Sequence, residues 1–260
     1  MMRYRTHTFA EKGFTAIAAH RGGAKLWPEN SHEALLGSIA LGVDAVEFDV
    51  HLSLDDEVMV FHDPTLDRTT SEEGPLRALT AAALQDVPLH NSQSGIPLFS
   101  NWAALLAAEN VALSLELKCD VANRRYSNME AKCLAIMDKT QTLDDALVHS
   151  FSFSVLRRFR KLHSNVFLAA NVDGRSEKEA GSFLALLDEV HALDAGNLNA
   201  AFTMMTPKKL AVAHQAGLSV TLWTIDDDED LELWLKAGVD AIATDRPARA
   251  LELRKAIQNH

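Results

Sequence analysis

A chain of 260 residues, 47% of them hydrophobic, can bury one large core, and its length suits either a single (β/α)8 barrel or two small domains. Its net charge of −11 excludes general nucleic-acid binding, which needs a basic face. No apolar run approaches the roughly 20 residues that span a bilayer, and two cysteines, Cys119 and Cys133, make neither a disulfide framework nor a zinc pattern.

The N-terminal segment carries Arg3 and Arg5, but residues 6–13 are polar where a signal peptide would place an apolar core of roughly 7–15 residues. The expectation is an unexported, cytoplasmic protein whose first strand is Ile17-Ala18-Ala19. Residues 30–41 have helical spacing, with Asn30 or Ser31 placed to cap them and Glu33 in the first turn. Strands are expected at 43–52, 57–62, 112–117, 146–149, 166–169, 190–193, 218–224 and 241–244. Helices are expected at 102–109, 129–139, 153–162, 177–188, 207–216, 228–236 and 247–257. Gly217 and Gly238 stand where helix C-caps precede strands. This alternation predicts a parallel sheet covered on both faces. About eight repeats favour closure into a TIM barrel, and no G-x-G-x-x-G turn supports an open doubly wound sheet. The stretch from about 65 to 99 breaks the rhythm with Gly74-Pro75, Pro88, Gly95 and Pro97. It is read as a small insertion after the second strand region of one domain covering 1–260.

The most informative stretch is Val46-Glu47-Phe48-Asp49-Val50, followed by His62-Asp63. Residues two apart on a strand share a face, so Glu47 and Asp49, with His51 behind them, lie opposite Val46, Phe48, Val50 and Leu52. Two acids on one face of an apolar strand repel each other and are costly to bury. A bound cation or a cluster of bases removes that cost. A solvated strand face is the bland alternative. It loses weight because other polar groups fall at strand C-termini, where barrel enzymes gather their functional residues: His20-Arg21-Gly22-Gly23, His62-Asp63, Glu116 with Lys118, Ser150, Trp223-Thr224-Ile225-Asp226 and Thr244-Asp245-Arg246-Pro247.

In these segments the sequence resembles the glycerophosphodiester phosphodiesterase family. The resemblance is carried by His20-Arg21-Gly22-Gly23, Pro28-Glu29-Asn30-Ser31, Val46-Glu47-Phe48-Asp49-Val50, the run Phe61-His62-Asp63-Pro64-Thr65-Leu66-Asp67-Arg68-Thr69-Thr70, Leu115-Glu116-Leu117-Lys118, Trp223-Thr224 and Thr244-Asp245-Arg246-Pro247. They occur in family order over nearly the whole chain. The resemblance implies a (β/α)8 barrel with a small insertion after strand two, a divalent metal on Glu47, Asp49 and Glu116, and catalytic histidines at His20 and His62. The implied reaction is metal-dependent hydrolysis of a small glycerophosphodiester to sn-glycerol 3-phosphate and an alcohol. Attack by the neighbouring glycerol hydroxyl, through a cyclic phosphate, and direct attack by water both stay open.

The residue chemistry agrees. Three carboxylates and no obvious histidine ligand suit Mg2+ or Ca2+, with Mn2+ also accommodated. Arg21 and Lys118 supply positive charge for a phosphodiester. His20 and His62 can exchange protons near neutral pH. Trp223 is either barrel-top packing or a wall for the alcohol side of the substrate. His51 is read as a non-ligand and the remaining eight histidines as surface residues. Asp226-Asp227-Asp228 is read as a solvated turn with helix-capping acids; family members often carry Asn at the position of Asp226, which puts a substrate contact there in doubt. Glu29 either supports the site or fixes its loop, and Asn30 is either a cap or a ligand. Two other functions share these features: a phosphodiesterase for lysophospholipids or other diesters, and a barrel that binds a phosphorylated metabolite without turnover. No basic amphipathic helix marks a stable membrane association, and the sequence leaves the oligomeric state open.

Overall fold

The computed structural model describes residues 14–258, so the polar segment at 6–13 and His7 lie outside the described residues. Strand β1 (Ala16–Ala19) is followed by α1 (His32–Leu41), β2 (Ala45–Leu52) and a short β3 (Val58–Val60). The first cap is Ser31, whose hydroxyl accepts the Ala34 N–H at 3.0 Å. After α2 (Ala81–Gln85) and α3 (Phe99–Glu109), strands and helices alternate: β4 (Ala112–Leu117), α4 (Met129–Lys139), β5 (Ala146–Ser150), α5 (Phe153–Leu162), β6 (Phe167–Val172), α6 (Gly174–Ala180), α7 (Phe183–His191), β7 (Asn197–Ala201), α8 (Pro207–Gln215), β8 (Ser219–Trp223), α9 (Asp228–Ala237), β9 (Ala241–Thr244) and α10 (Pro247–Gln258).

Eight strands pair in parallel in the order β1-β9-β8-β7-β6-β5-β4-β2, and pairing of β1 with β2 closes the ring. The result is a (β/α)8 barrel. β3 stands outside this ring, antiparallel to β2, so the expected strand at 57–62 is a hairpin arm rather than a barrel stave. The segment after it is tied by single bridges, Thr65 to Pro75, Thr70 to Leu89 and Pro88 to Gly95. It has its own small core of Phe61, Leu66, Leu76, Leu84 and Ile96. Glu33 at the start of α1 anchors it, accepting from Ser92 Oγ, Ser94 Oγ and the Gln93 N–H.

Two expected elements differ. Residues 190–193 are not a strand: Val190 closes α7 and packs into the main core. The strand is Asn197–Ala201, unmarked by hydrophobicity because Asn197 and Asn199 share one face. The single helix expected at 177–188 is two, separated at Gly181, where φ is +88°.

Alternation along β2 separates the two sides of the wall. Phe48 packs outward against Phe99 and Trp102 of α3, with ring centroids 5.6 and 5.0 Å apart. The interior floor is small, made largely of Ala18, Ala45, Ala112, Ala169 and Ala243 with Leu147. No helix among the described residues is long and apolar enough to cross a membrane.

At the foot of the barrel, His214 Nε2 lies 2.8 Å from Asp240 Oδ2, which also accepts the Val220 N–H. The hydrogen bond to Asp240 raises the His214 pKa, against partial burial. Its contribution is therefore fully present below about pH 6.5, the unfolded value, and is lost as pH rises through the higher folded value. His214→Gln keeps a donor without the charge. Its thermal midpoint should fall below that of the parent at pH 5.5, by the equivalent of about 0.2–1 kcal/mol for a pair whose histidine is 38% exposed, and the gap should close by pH 9. A gap independent of pH would refute the assignment.

Candidate active site

The C-terminal mouth of the barrel opens into a cavity of about 240 Å³, lined among others by His20, Arg21, Glu47, His62, Glu116, Lys118, His149 and Trp223. Glu47, Asp49 and Glu116 sit on inward-facing positions of neighbouring strands, with Asp49 directly paired with Glu116 in the sheet. They are 4%, 1% and 7% exposed.

Their partners differ. Lys118 Nζ bridges Asp49 Oδ1 at 2.9 Å and Glu116 Oε1 at 2.6 Å. Asn30, held at φ +55°, donates to Asp49 Oδ2 at 3.0 Å, and Arg21 Nε approaches the same oxygen at 3.7 Å. Burial alone would raise the Asp49 pKa, but the charges of Lys118, His62 and Arg21 hold it below the carboxylate range. Glu47 has no such cation. It accepts the Arg21 N–H at 2.9 Å. Burial and the negative charge of Asp49 push its pKa up to about 7, with His20 opposing.

The chain Ala19-His20-Arg21-Gly22 turns sharply to make these contacts. Arg21 has φ +49° and Gly22 φ +77°. A Cβ at Gly22 would stand 2.7 Å from Ala34 Cβ, so the loop and α1 meet only because that side chain is missing.

Each catalytic candidate histidine is oriented by an aspartate. His20 Nδ1 lies 2.7 Å from Asp245 Oδ1, and its Nε2 lies 3.9 Å from Glu47. His62 Nδ1 contacts Asp63 Oδ1 at 2.5 Å. With Nδ1 engaged by an aspartate, Nε2 is the ring nitrogen that each histidine could use to exchange a proton. Burial opposes charge on both rings. For His20 the Asp245 hydrogen bond and Glu47 outweigh it, and the pKa is raised. For His62 burial prevails over the nearby Asp49, and the pKa is lowered. The histidine loops are joined by charge-assisted bonds. Arg21 binds Glu29 at 3.0 Å, Glu29 takes Arg68 through both oxygens at 2.7 Å, and Arg68 Nε reaches Asp63 at 2.6 Å.

The structure therefore brings together His20, His62, Arg21, Lys118, Glu47, Asp49 and Glu116, and puts Trp223 on the wall. Trp223 packs edge-on to Phe151 and donates Nε1–H to the Asn199 carbonyl at 3.0 Å. His51 is kept away: its ring is fully buried between the Tyr126 hydroxyl and the His62 carbonyl. Asn30 is not the helix cap. Asp226 is not a solvated acid. It accepts from Thr244 Oγ1 and the Asp245 N–H and pairs with Lys25 at 2.8 Å, fixing the strand end that presents Asp245.

Sequence reasoning missed His149. It is 2% exposed rather than on the surface, and with Glu47 and Glu116 it forms a group whose ligand atoms all lie within 4.8 Å of one another. Its position at the end of a strand, before Ser150, was the available signal. Two carboxylates and an imidazole, with Asp49 next to them, are a donor set that fits a divalent cation.

Comparison with known proteins bears on this arrangement. Residues 20–249 match the model of the Glycerophosphoryl diester phosphodiesterase family. A glycerophosphodiester phosphodiesterase of Caldanaerobacter subterraneus subsp. tengcongensis is 26% identical over 248 residues, covering 92% of this chain and 97% of the relative. One from Bacillus altitudinis is 27% identical over 257 residues, covering 93% and 98%. Among solved structures, an Oleispira antarctica phosphodiesterase in complex with the product sn-glycerol-3-phosphate matches with TM-score 0.81 at 24% identity, over 94% of this chain and 98% of that one. A glycerophosphodiester phosphodiesterase from Agrobacterium tumefaciens matches with TM-score 0.77 at 22% identity, over 92% and 99%.

The Asp49–Lys118 pair is testable by stability. Removing one partner of a buried pair typically costs about 3–5 kcal/mol because the other charge is left without compensation. Urea unfolding in excess chelator should show Lys118→Met destabilised by about 3 kcal/mol, with Lys118→Met/Asp49→Asn recovering more than half of the loss. A double variant less stable than the single one would remove the pairing argument.

Proposed function

The chain belongs to the glycerophosphoryl diester phosphodiesterase family, and from that premise we propose that it hydrolyses glycerophosphodiesters to sn-glycerol 3-phosphate and an alcohol. The observation that carries the reading is the meeting of two aspartate-oriented histidines with a carboxylate cluster short of positive charge in one cavity. The product bound to the Oleispira relative supports a glycerol phosphate on this side of the reaction.

Each group has a task. Arg21 and Lys118, both lining the cavity, bind the phosphodiester oxygens. One histidine takes the proton of the attacking oxygen, and the other returns one to the leaving alcohol; the attacking oxygen is that of water, or that of the neighbouring glycerol hydroxyl, in which case water then opens the cyclic phosphate. Asp245 and Asp63 keep both rings turned with Nε2 available and stabilise the imidazolium that forms. Trp223 walls the alcohol side. Glu47, Asp49 and Glu116 would hold a divalent metal, Mg2+, Ca2+ or Mn2+. When bound, it supplies Lewis-acid stabilisation of charge on the phosphoryl oxygens. General acid–base help is worth about 10²–10⁴ per group, or roughly 3–5 kcal/mol, against an enzymatic total of about 8–23 kcal/mol. The histidines alone therefore fall short of a full rate enhancement, and electrostatic stabilisation supplies the remainder.

Glycerophosphocholine hydrolysis, followed as glycerol 3-phosphate released, checks the proposal. Excess EDTA should abolish turnover and added divalent metal restore it. His20→Ala and His62→Ala should each lower kcat by about 10²–10⁴-fold. Unchanged activity in EDTA or in His20→Ala sinks the mechanism, and a preference for lysophosphatidylcholine in the same assay moves the substrate class.

A further inference from the structure

We infer that His149 is a nitrogen ligand of the metal, through Nε2, and that this site selects a first-row transition ion such as Mn2+ or Co2+ over Ca2+. The inference rests on the metal-dependent reading above and adds a ligand to it.

His149 Nε2 stands 3.9 Å from Glu47 Oε1, and its Nδ1 stands 4.0 Å from Glu116 Oε2. These separations are too long for hydrogen bonds. The nearer one, from Nε2, lies within the roughly 4.2 Å that two donors about 2.1 Å from one ion can span. Glu47 thus faces Nε2 and Glu116 the Nδ1 side of the ring, neither within hydrogen-bonding reach, and one ligand atom from each of the three buried residues lies within 4.8 Å of the others. Lys118 occupies Glu116 Oε1 and Asp49, and the described ion pairs leave Glu47 with imidazoles alone.

The tautomer is set for ligation. His149 Nδ1 lies 3.0 Å from the Asn171 side-chain oxygen, an acceptor, so the ring proton belongs on Nδ1 and the lone pair on Nε2. Asn199 Nδ2 is 3.3 Å from the same Nδ1, but its shorter bond, 2.7 Å, goes to Asn171 Oδ1 and fixes that oxygen in place. An amide oxygen on the far ring nitrogen is the usual support of a metal-bound histidine. The other contact of Nε2 is Ser114 Oγ at 3.1 Å, a hydroxyl that can rotate away. Imidazole suits borderline ions and is a poor ligand for Ca2+, which takes oxygen.

Pulsed electron paramagnetic resonance of Mn2+ bound to the metal-stripped wild-type protein reads the ligand directly. The expected spectrum contains 14N coupling from a coordinated imidazole. Calorimetry should show Mn2+ and Co2+ bound more tightly than Ca2+, with His149→Asn weakening Co2+ by tenfold or more and Ca2+ by less than threefold. Mn2+ binding without 14N coupling, in a protein that still hydrolyses glycerophosphocholine, overturns the inference and leaves the proposed function standing. No metal binding at all overturns both. Because His20 Nε2 also lies 3.9 Å from Glu47, 14N coupling that persists in His20→Asn assigns the ligand to His149, and its loss there overturns the inference, even if His149→Asn fails to fold.

Discussion

Excess negative charge buried at the mouth of the barrel is the constraint to which the rest of the site answers. Glu47, Asp49 and Glu116 are each less than 10% exposed, and the cations that reach them are Lys118 and Arg21. Arg21 is itself divided between Asp49 and Glu29. Burying a carboxylate without a partner is costly enough that the group protonates instead. Asp49 escapes this because Lys118 and Asn30 take its two oxygens. Glu47 does not: burial and the negative charge of Asp49 raise its pKa. The strained backbone of Arg21 and Asn30, both at positive φ, makes sense in these terms. It turns one N–H toward Glu47 and one amide toward Asp49.

The same charge economy links the histidines. His62 arrives on the chain beyond β3, the hairpin arm that stands outside the ring, and His20 follows the first stave. From the barrel, His51 holds the His62 carbonyl and Asp245 holds the His20 ring. The run Arg21–Glu29–Arg68–Asp63 then couples the two loops, and its central link is bidentate, which fixes orientation as well as distance. The proposed acid–base reaction requires both rings against one phosphate, so under that proposal this partly exposed network bears on rate more than on stability.

What was readable in the sequence follows from what strand geometry exposes. Glu47 and Asp49 were legible because a period of two puts acids on one face and Val46, Phe48 and Val50 on the other. Glu116 and Lys118 were legible for the same reason. β7 was not, since Asn197 and Asn199 replace the apolar residues by which a strand is recognised, while the apolar run just before it belongs to α7. His149 was hidden differently. It is a single polar residue closing a short apolar strand, and its meaning comes from Glu47 and Glu116 across the barrel and from Asn171 on the next strand. Asp245 and Asp226 were visible as acids, but their task, holding His20, is a contact between the two ends of the barrel sequence.

β7 and His149 are connected. Asn199 secures Asn171, Asn171 secures the His149 ring, and Asn197 binds Ser219 and Thr221 on the neighbouring stave. β7 gave up interior hydrophobicity to serve as scaffolding for a polar layer. The barrel tolerates this because its stability does not come from inside. The floor is mostly alanine, too small to contribute much burial. The large side chains, Phe48, Phe99, Trp102, Phe159 and Trp234 among them, pack between staves and helices. Alternation along each strand thus assigns stability to the outer face and chemistry to the inner one, so polar groups can accumulate around the cavity without thinning the core that holds the staves in register.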